Sequence, residues 1–70
     1  MIPLPMADVG EECVIKKVNG VPDVKSHLED LGFVPGAVIT LVTRMGGNVI
    51  VNIKDSRIAI NEDLAKKIMV

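Results

Sequence analysis

The sequence predicts a small, mainly β protein, a five-stranded barrel with one short α-helix between its first and second strands. Short runs rich in Val and Ile alternate with turns that contain Gly, Pro or Asn, and only one segment has helical periodicity. A length of 70 residues suits one domain, which we expect over residues 1–70. Five short strands in an open sheet would leave two exposed edges, and closing the sheet into a barrel removes them.

The first strand is predicted over residues 12–18. Alternation along it puts Val14 and Val18 on one face, and Cys13 and Ile15 on the other. We expect Cys13 to be a small buried apolar residue, because the sequence pairs no base with its thiol.

The helix is predicted over residues 22–31. Pro22 suits a first helical position, and Gly32 suits the left-handed conformation that follows a helix end. The buried stripe recurs at i, i+4 and i+7 and consists of Val24, Leu28 and Leu31.

The later strands are predicted over residues 37–43, 49–54, 57–60 and 68–70. The Gly46-Gly47 pair indicates a hairpin loop and lacks the Lys-Ser/Thr of a phosphate-binding loop. Asn61 is expected to cap a short helical turn over residues 62–65. The side chains expected to face inward are Ile39, Leu41, Val49, Val51, Ile53, Ile58 and Ile60.

The composition argues against several classes of protein. Eight basic and nine acidic residues give a net charge of −1, and the chain has one Phe, no Tyr and no Trp. A nucleic-acid partner is therefore not expected, because such proteins need clustered cations or stacking aromatics. No apolar run approaches the roughly 20 residues of a membrane span. One cysteine makes no intramolecular disulfide, which fits a cytoplasmic protein.

The run Leu28-x-x-Leu31-Gly32-Phe33-x-Pro35-Gly36 resembles the signature of the FeoA family, small cytoplasmic partner proteins of the bacterial ferrous iron transporter. The order of the other segments also matches: Leu4-x-x-Ala7-x-x-Gly10, Val49-x-Val51-x-Ile53, Ile58-x-Ile60 and Asp63-x-Ala65-x-x-Ile68-x-Val70. The resemblance implies an SH3-like barrel, no enzymatic activity, and an adaptor role through contact with the cytoplasmic region of the transporter. The acidic helix departs from the family's frequently basic one.

A second hypothesis is a small divalent-metal carrier or sensor. Asp23, His27 and Asp30 recur at i, i+4 and i+7, so they share one helix face, and their ligand types suit Fe²⁺. A solvated helix face explains the same pattern, and the sequence offers no further ligand. We therefore expect no cofactor and no tight metal site, with any Fe²⁺ binding weak.

The apolar excess predicts a docking surface for a partner or for a second copy of the chain. If the barrel strands alternate as expected, three aliphatic side chains point outward, and the turn after the helix adds three more residues. The predicted contact residues are Phe33, Val34, Pro35, Val38, Val42 and Ile50. The alternative is that the helix and this turn cover the outward-facing residues. The Lys16-Lys17 and Lys66-Lys67 pairs are surface residues that are secondary candidates for contact, and no catalytic constellation is present.

Overall fold

The computed structural model describes all 70 residues, and its short strands surround a core covered by one nine-residue helix and a second helix of four residues. After a 3₁₀ turn over Leu4–Met6, the elements are β1 (Glu12–Val14), β2 (Lys17–Val18), α1 (Pro22–Asp30), β3 (Val38–Met45), β4 (Asn48–Ile53), β5 (Ser56–Asn61), α2 (Glu62–Ala65) and β6 (Ile68–Met69). Antiparallel strands form one sheet in the order β1-β3-β4-β5, and β2 pairs with β6. The small-barrel prediction is confirmed, although its hydrogen bonding is not closed between β5 and β6.

The predicted first strand is broken into β1 and β2, because the chain changes its partner there. The N–H of Ile15 donates to the Ala37 carbonyl at 2.9 Å, whereas the N–H of Lys16 donates to the Met69 carbonyl at 2.8 Å. The bend between these residues links the two sheets. It also makes the predicted shared face wrong, since Val14 is exposed while Val18 is buried.

One apolar core fills the space between the sheets and α1. Its largest fully buried members are Phe33, Leu4, Ile15, Leu28, Ile39, Leu41, Ile68, Val49 and Val51. The predicted inward-facing set is confirmed except for Ile58, which is half-buried at the edge strand β5. In the helix stripe Leu28 is fully buried, whereas Val24 and Leu31 are half-buried.

The end of α1 is fixed by a pair of backbone hydrogen bonds. The N–H of Phe33 donates to the Leu28 carbonyl at 2.9 Å, and the N–H of Gly32 donates to the Glu29 carbonyl at 2.9 Å. This Schellman arrangement needs a left-handed residue after the helix, and Gly32 supplies it with a φ of +101°. The arrangement carries Phe33 into the core cluster that also contains Leu28.

The short helix α2 begins as predicted. The side-chain oxygen of Asn61 accepts a hydrogen bond from the Leu64 N–H at 2.8 Å. Beyond α2, the chain returns to β6, and Val70 exchanges two backbone hydrogen bonds of 2.8 Å with Ile2. Neither helix has the length and apolar character needed to cross a membrane.

Candidate partner-binding surface

The turn after α1 exposes two apolar side chains to solvent. The N–H of Ala37 donates to the Val34 carbonyl at 3.0 Å, which closes a four-residue turn with Pro35 second and Gly36 third. The φ of Gly36 is +91°, and proline followed by such a residue is the pattern of a type II turn. Val34 and Pro35, two of the predicted contact residues, are exposed.

Strand β1 adds a valine that the sequence interpretation did not include. Val14 lies directly opposite Val38, and each is 48% exposed. The adjacent Ile15 carbonyl accepts from the Gly36 N–H at 2.7 Å, so the turn is joined to this strand pair. We call the four exposed residues Val14, Val34, Pro35 and Val38 the valine surface.

Phe33 does not belong to this surface, which corrects one predicted contact residue. Its relative exposure is 0%, because the helix-ending hydrogen bonds turn its ring into the core. The residue therefore supports the surface from beneath and offers no side-chain contact of its own.

Val42 and Ile50 lie apart from Val38. On the outer face of the main sheet, a row of polar residues crosses all four strands through paired positions. This polar row consists of Glu12, Thr40, Asn52 and Arg57. Val42 is an additional residue at a β-bulge, where Leu41 faces Val51 and Thr43 faces Ile50. Both Val42 and Ile50 are half-buried, and we call these two residues the second apolar area.

The three candidate metal ligands stay on the exposed face of α1. Asp23, His27 and Asp30 are all exposed, and no three His, Cys, Asp or Glu residues of the structure are grouped closely enough to hold a metal ion. Asp23 lies in the first helical turn and His27 in the last. The carboxylate of Asp23 therefore lies at the helix end where the macrodipole favours a negative charge.

The remaining sequence candidates are placed as follows. Cys13 is half-buried and lies opposite Ile39, with its Sγ 3.8 Å from the Glu11 carbonyl oxygen. The protein has no enclosed pocket.

Both lysine pairs adjoin the ladder of β2 and β6, which sequence reasoning missed. Lys17 pairs with Met69, and the Asn19 N–H donates to the Lys67 carbonyl at 2.7 Å. No local pattern predicts this placement, because it depends on the pairing of β2 with β6.

Comparisons with known proteins match this chain over nearly its whole length. The family model of the FeoA domain matches residues 2–70. A curated protein of Methanocaldococcus jannaschii named Fe(2+) transport protein A is 37% identical over 70 residues, which are 100% of this chain and 85% of that protein.

Two crystal structures have the same fold. One is an iron uptake regulatory protein (FeoA), with a TM-score of 0.86 and 27% identity over 96% of this chain and 89% of the other. The second is FeoA of Stenotrophomonas maltophilia, described as a prokaryotic SH3 domain protein and crystallised with zinc. It has a TM-score of 0.83 and 21% identity over 99% of this chain and 88% of the other. The predicted SH3-like architecture is confirmed.

Proposed function

Because this chain belongs to the FeoA family, we propose that it is a non-enzymatic accessory factor of ferrous iron transport, acting in the cytoplasm by binding the cytoplasmic region of the ferrous iron transporter. The observation that carries the proposal is the valine surface, whose three valines are 40–48% exposed. Clustered apolar side chains on a small protein favour association. The Methanocaldococcus relative is named for Fe(2+) transport, and an activating role in such transport is suggested for the Stenotrophomonas relative.

The valine surface suits binding because its backbone is already ordered. Hydrogen bonds from Gly36 to Ile15 and from Ala37 to Val34 fix the turn against β1. A surface that is rigid before binding loses less conformational entropy when a partner covers it. Val38 pairs with Val14 and directly follows the turn, so it adjoins both parts of the valine surface. We place it at the centre of the contact, where residues carry most of the binding energy.

The test is complementation of ferrous iron uptake in cells that lack this protein. We expect Val38→Glu to abolish support of uptake, because a carboxylate at the centre of the contact would lose its hydration on binding. The melting temperature should stay nearly unchanged, since the side chain is exposed. Val21→Glu is the matched control: Val21 is 63% exposed, directly precedes α1 and is not a residue of the valine surface. This variant should support uptake normally.

Two further outcomes separate the surface from the function. Val34→Glu should act like Val38→Glu, whereas Ile50→Glu tests the second apolar area beyond the polar row. If the Val34→Glu and Val38→Glu variants both fold and support normal uptake, the partner binds a surface other than the valine surface. Intact ferrous uptake after loss of the whole protein would contradict the proposed function itself.

A further inference from the structure

Strand β5 has one edge with no partner. β5 pairs only with β4, and no backbone hydrogen bond outside that ladder involves residues 56–61. An unpaired edge presents N–H and C=O groups that favour pairing with another strand. We propose that β5 pairs antiparallel with β5 of a second copy of this chain, joining two four-stranded sheets into one of eight strands.

The register of the hairpin shows which groups face this edge. Ile53 and Ser56 are paired across a two-residue turn, and such closing residues exchange hydrogen bonds. Since bonded and non-bonded pairs alternate along an antiparallel ladder, the backbone groups of Arg57 and Ala59 and the N–H of Asn61 point away from β4. These positions are symmetric about Ala59. A two-fold axis at Ala59 therefore sets Arg57 of one copy opposite Asn61 of the other.

The charges at the two ends of β5 favour this orientation and this occupant. Lys54 and Arg57 outnumber Asp55 at its start, whereas Glu62 and Asp63 follow its end, and all five are exposed. Antiparallel pairing places the basic end of one copy beside the acidic end of the other. Parallel pairing would bring like charges together, so the edge is complementary to itself in one direction only.

The outer face also continues across the proposed axis. Ala59 is exposed and lies opposite the half-buried Ile50 on β4. Pairing about Ala59 joins these residues of both copies into one apolar row, and the small alanine side chains allow close approach. Two six-residue edges bury far less than the roughly 1,200–2,000 Å² of a stable interface, so the pairing is weak and depends on concentration.

Amide hydrogen exchange, measured at increasing protein concentration, tests the pairing of each β5 residue. Sedimentation at the same concentrations measures the mass of the assembly. As the dimer forms, exchange at Arg57 and Ala59 should slow, by about tenfold once most of the protein is paired. Exchange at Ile58, whose N–H already faces β4, should change little. Ala59→Pro should abolish dimerisation while keeping the fold, because proline is tolerated where a strand N–H faces outward. Ala59→Val keeps that N–H and should still dimerise.

A charge exchange provides a second test that does not rely on proline. Arg57→Glu and Glu62→Arg should each weaken dimerisation by about fivefold, and the double variant should restore it. The proposal is overturned if the protein stays monomeric throughout, or if its dimer survives Ala59→Pro with unprotected amides at Arg57 and Ala59. If Ala59→Pro does not fold, failure of the double variant to restore dimerisation overturns it. If these amides are protected only when another protein is added, the β5 edge binds that protein and the proposed pairing with a second copy is wrong.

Discussion

Arg44, near the end of β3, donates hydrogen bonds to the backbone carbonyl of Pro5, 39 positions earlier in the chain. Its Nε lies 2.9 Å from that oxygen, and one Nη lies 3.1 Å from the Ala7 carbonyl oxygen. Pro5 is the middle residue of the 3₁₀ turn that carries the buried Leu4, and Ala7 directly follows that turn. The Arg44 side chain thus connects the N-terminal segment to the main sheet by hydrogen bonds.

We expect Arg44→Ala to lower the free energy of unfolding by about 1–3 kcal/mol, because two carbonyls lose a charged donor. Arg44→Lys should recover only part of the loss, since an ammonium cannot match the planar fork of the guanidinium. Urea unfolding measures both variants. Equal stability of wild type and Arg44→Ala would show that the N-terminal segment docks without this contact.

Gly32 and Gly36 form a matched pair for testing the end of α1. Both have positive φ, but a Cβ at Gly32 would lie 3.2 Å from Cδ1 of Ile53, whereas one at Gly36 would meet nothing within 4 Å. Each Ala substitution should cost about 1–2 kcal/mol for the left-handed backbone.

Gly32→Ala should cost more than Gly36→Ala, because the new methyl also presses on Ile53. Thermal melts measure the stability of these two variants and of a third that combines Gly32→Ala with Ile53→Val. Because Ile53→Val removes Cδ1, Gly32→Ala should destabilise the protein less in that background. Identical losses for the two glycines would mean that Ile53 shifts freely.

Leu28 and Leu31 should differ in their contribution to stability although both belong to the predicted stripe. Leu28 has 0% relative exposure and belongs to the same core cluster as Phe33, whereas Leu31 is half-buried. Leu28→Ala should therefore cost about 2–5 kcal/mol. Leu31→Ala should cost clearly less, as denaturant titration of both variants would show. A loss below about 0.5 kcal/mol for Leu28→Ala would contradict the packing of α1 on the core.

Lys54, in the turn between β4 and β5, is the one non-glycine residue with a positive φ, at +54°. Because L side chains are strained in this region, Lys54→Gly should raise the free energy of unfolding by about 0.5–1 kcal/mol. Lys54→Ala removes the same charge without relieving the backbone and is the control. A stabilisation shared by both variants would indicate charge, not backbone strain.

The metal-carrier hypothesis predicts one site that depends on His27. We expect anaerobic calorimetric titration of Fe²⁺ or Mn²⁺ to show no tight stoichiometric site, because Asp23, His27 and Asp30 are exposed and have no further ligand beside them. The control is His27→Ala. One site in the wild type that disappears in this variant would support the carrier hypothesis.

The sequence by itself determined the parts of the fold that neighbouring residues control. Gly32 ends α1, Asn61 begins α2, and the alternation in β3 and β4 selects the buried face, all through interactions within a few residues. It also carried the family resemblance through the run from Leu28 to Gly36, because the turn and helix end need those residue types locally.

Only the tertiary structure decided which distant residues meet. The change of partner at Ile15 and Lys16 depends on β6, so no local pattern marks the break in the first strand. The hydrogen bond from Arg44 to the Pro5 carbonyl likewise joins distant residues, and no local pattern predicts it. Register between separate strands set Val14 beside Val38 and put the polar row between Val38 and Ile50. Such pairings follow from the closing of the whole barrel, where core packing and hydrogen bonding must be satisfied together.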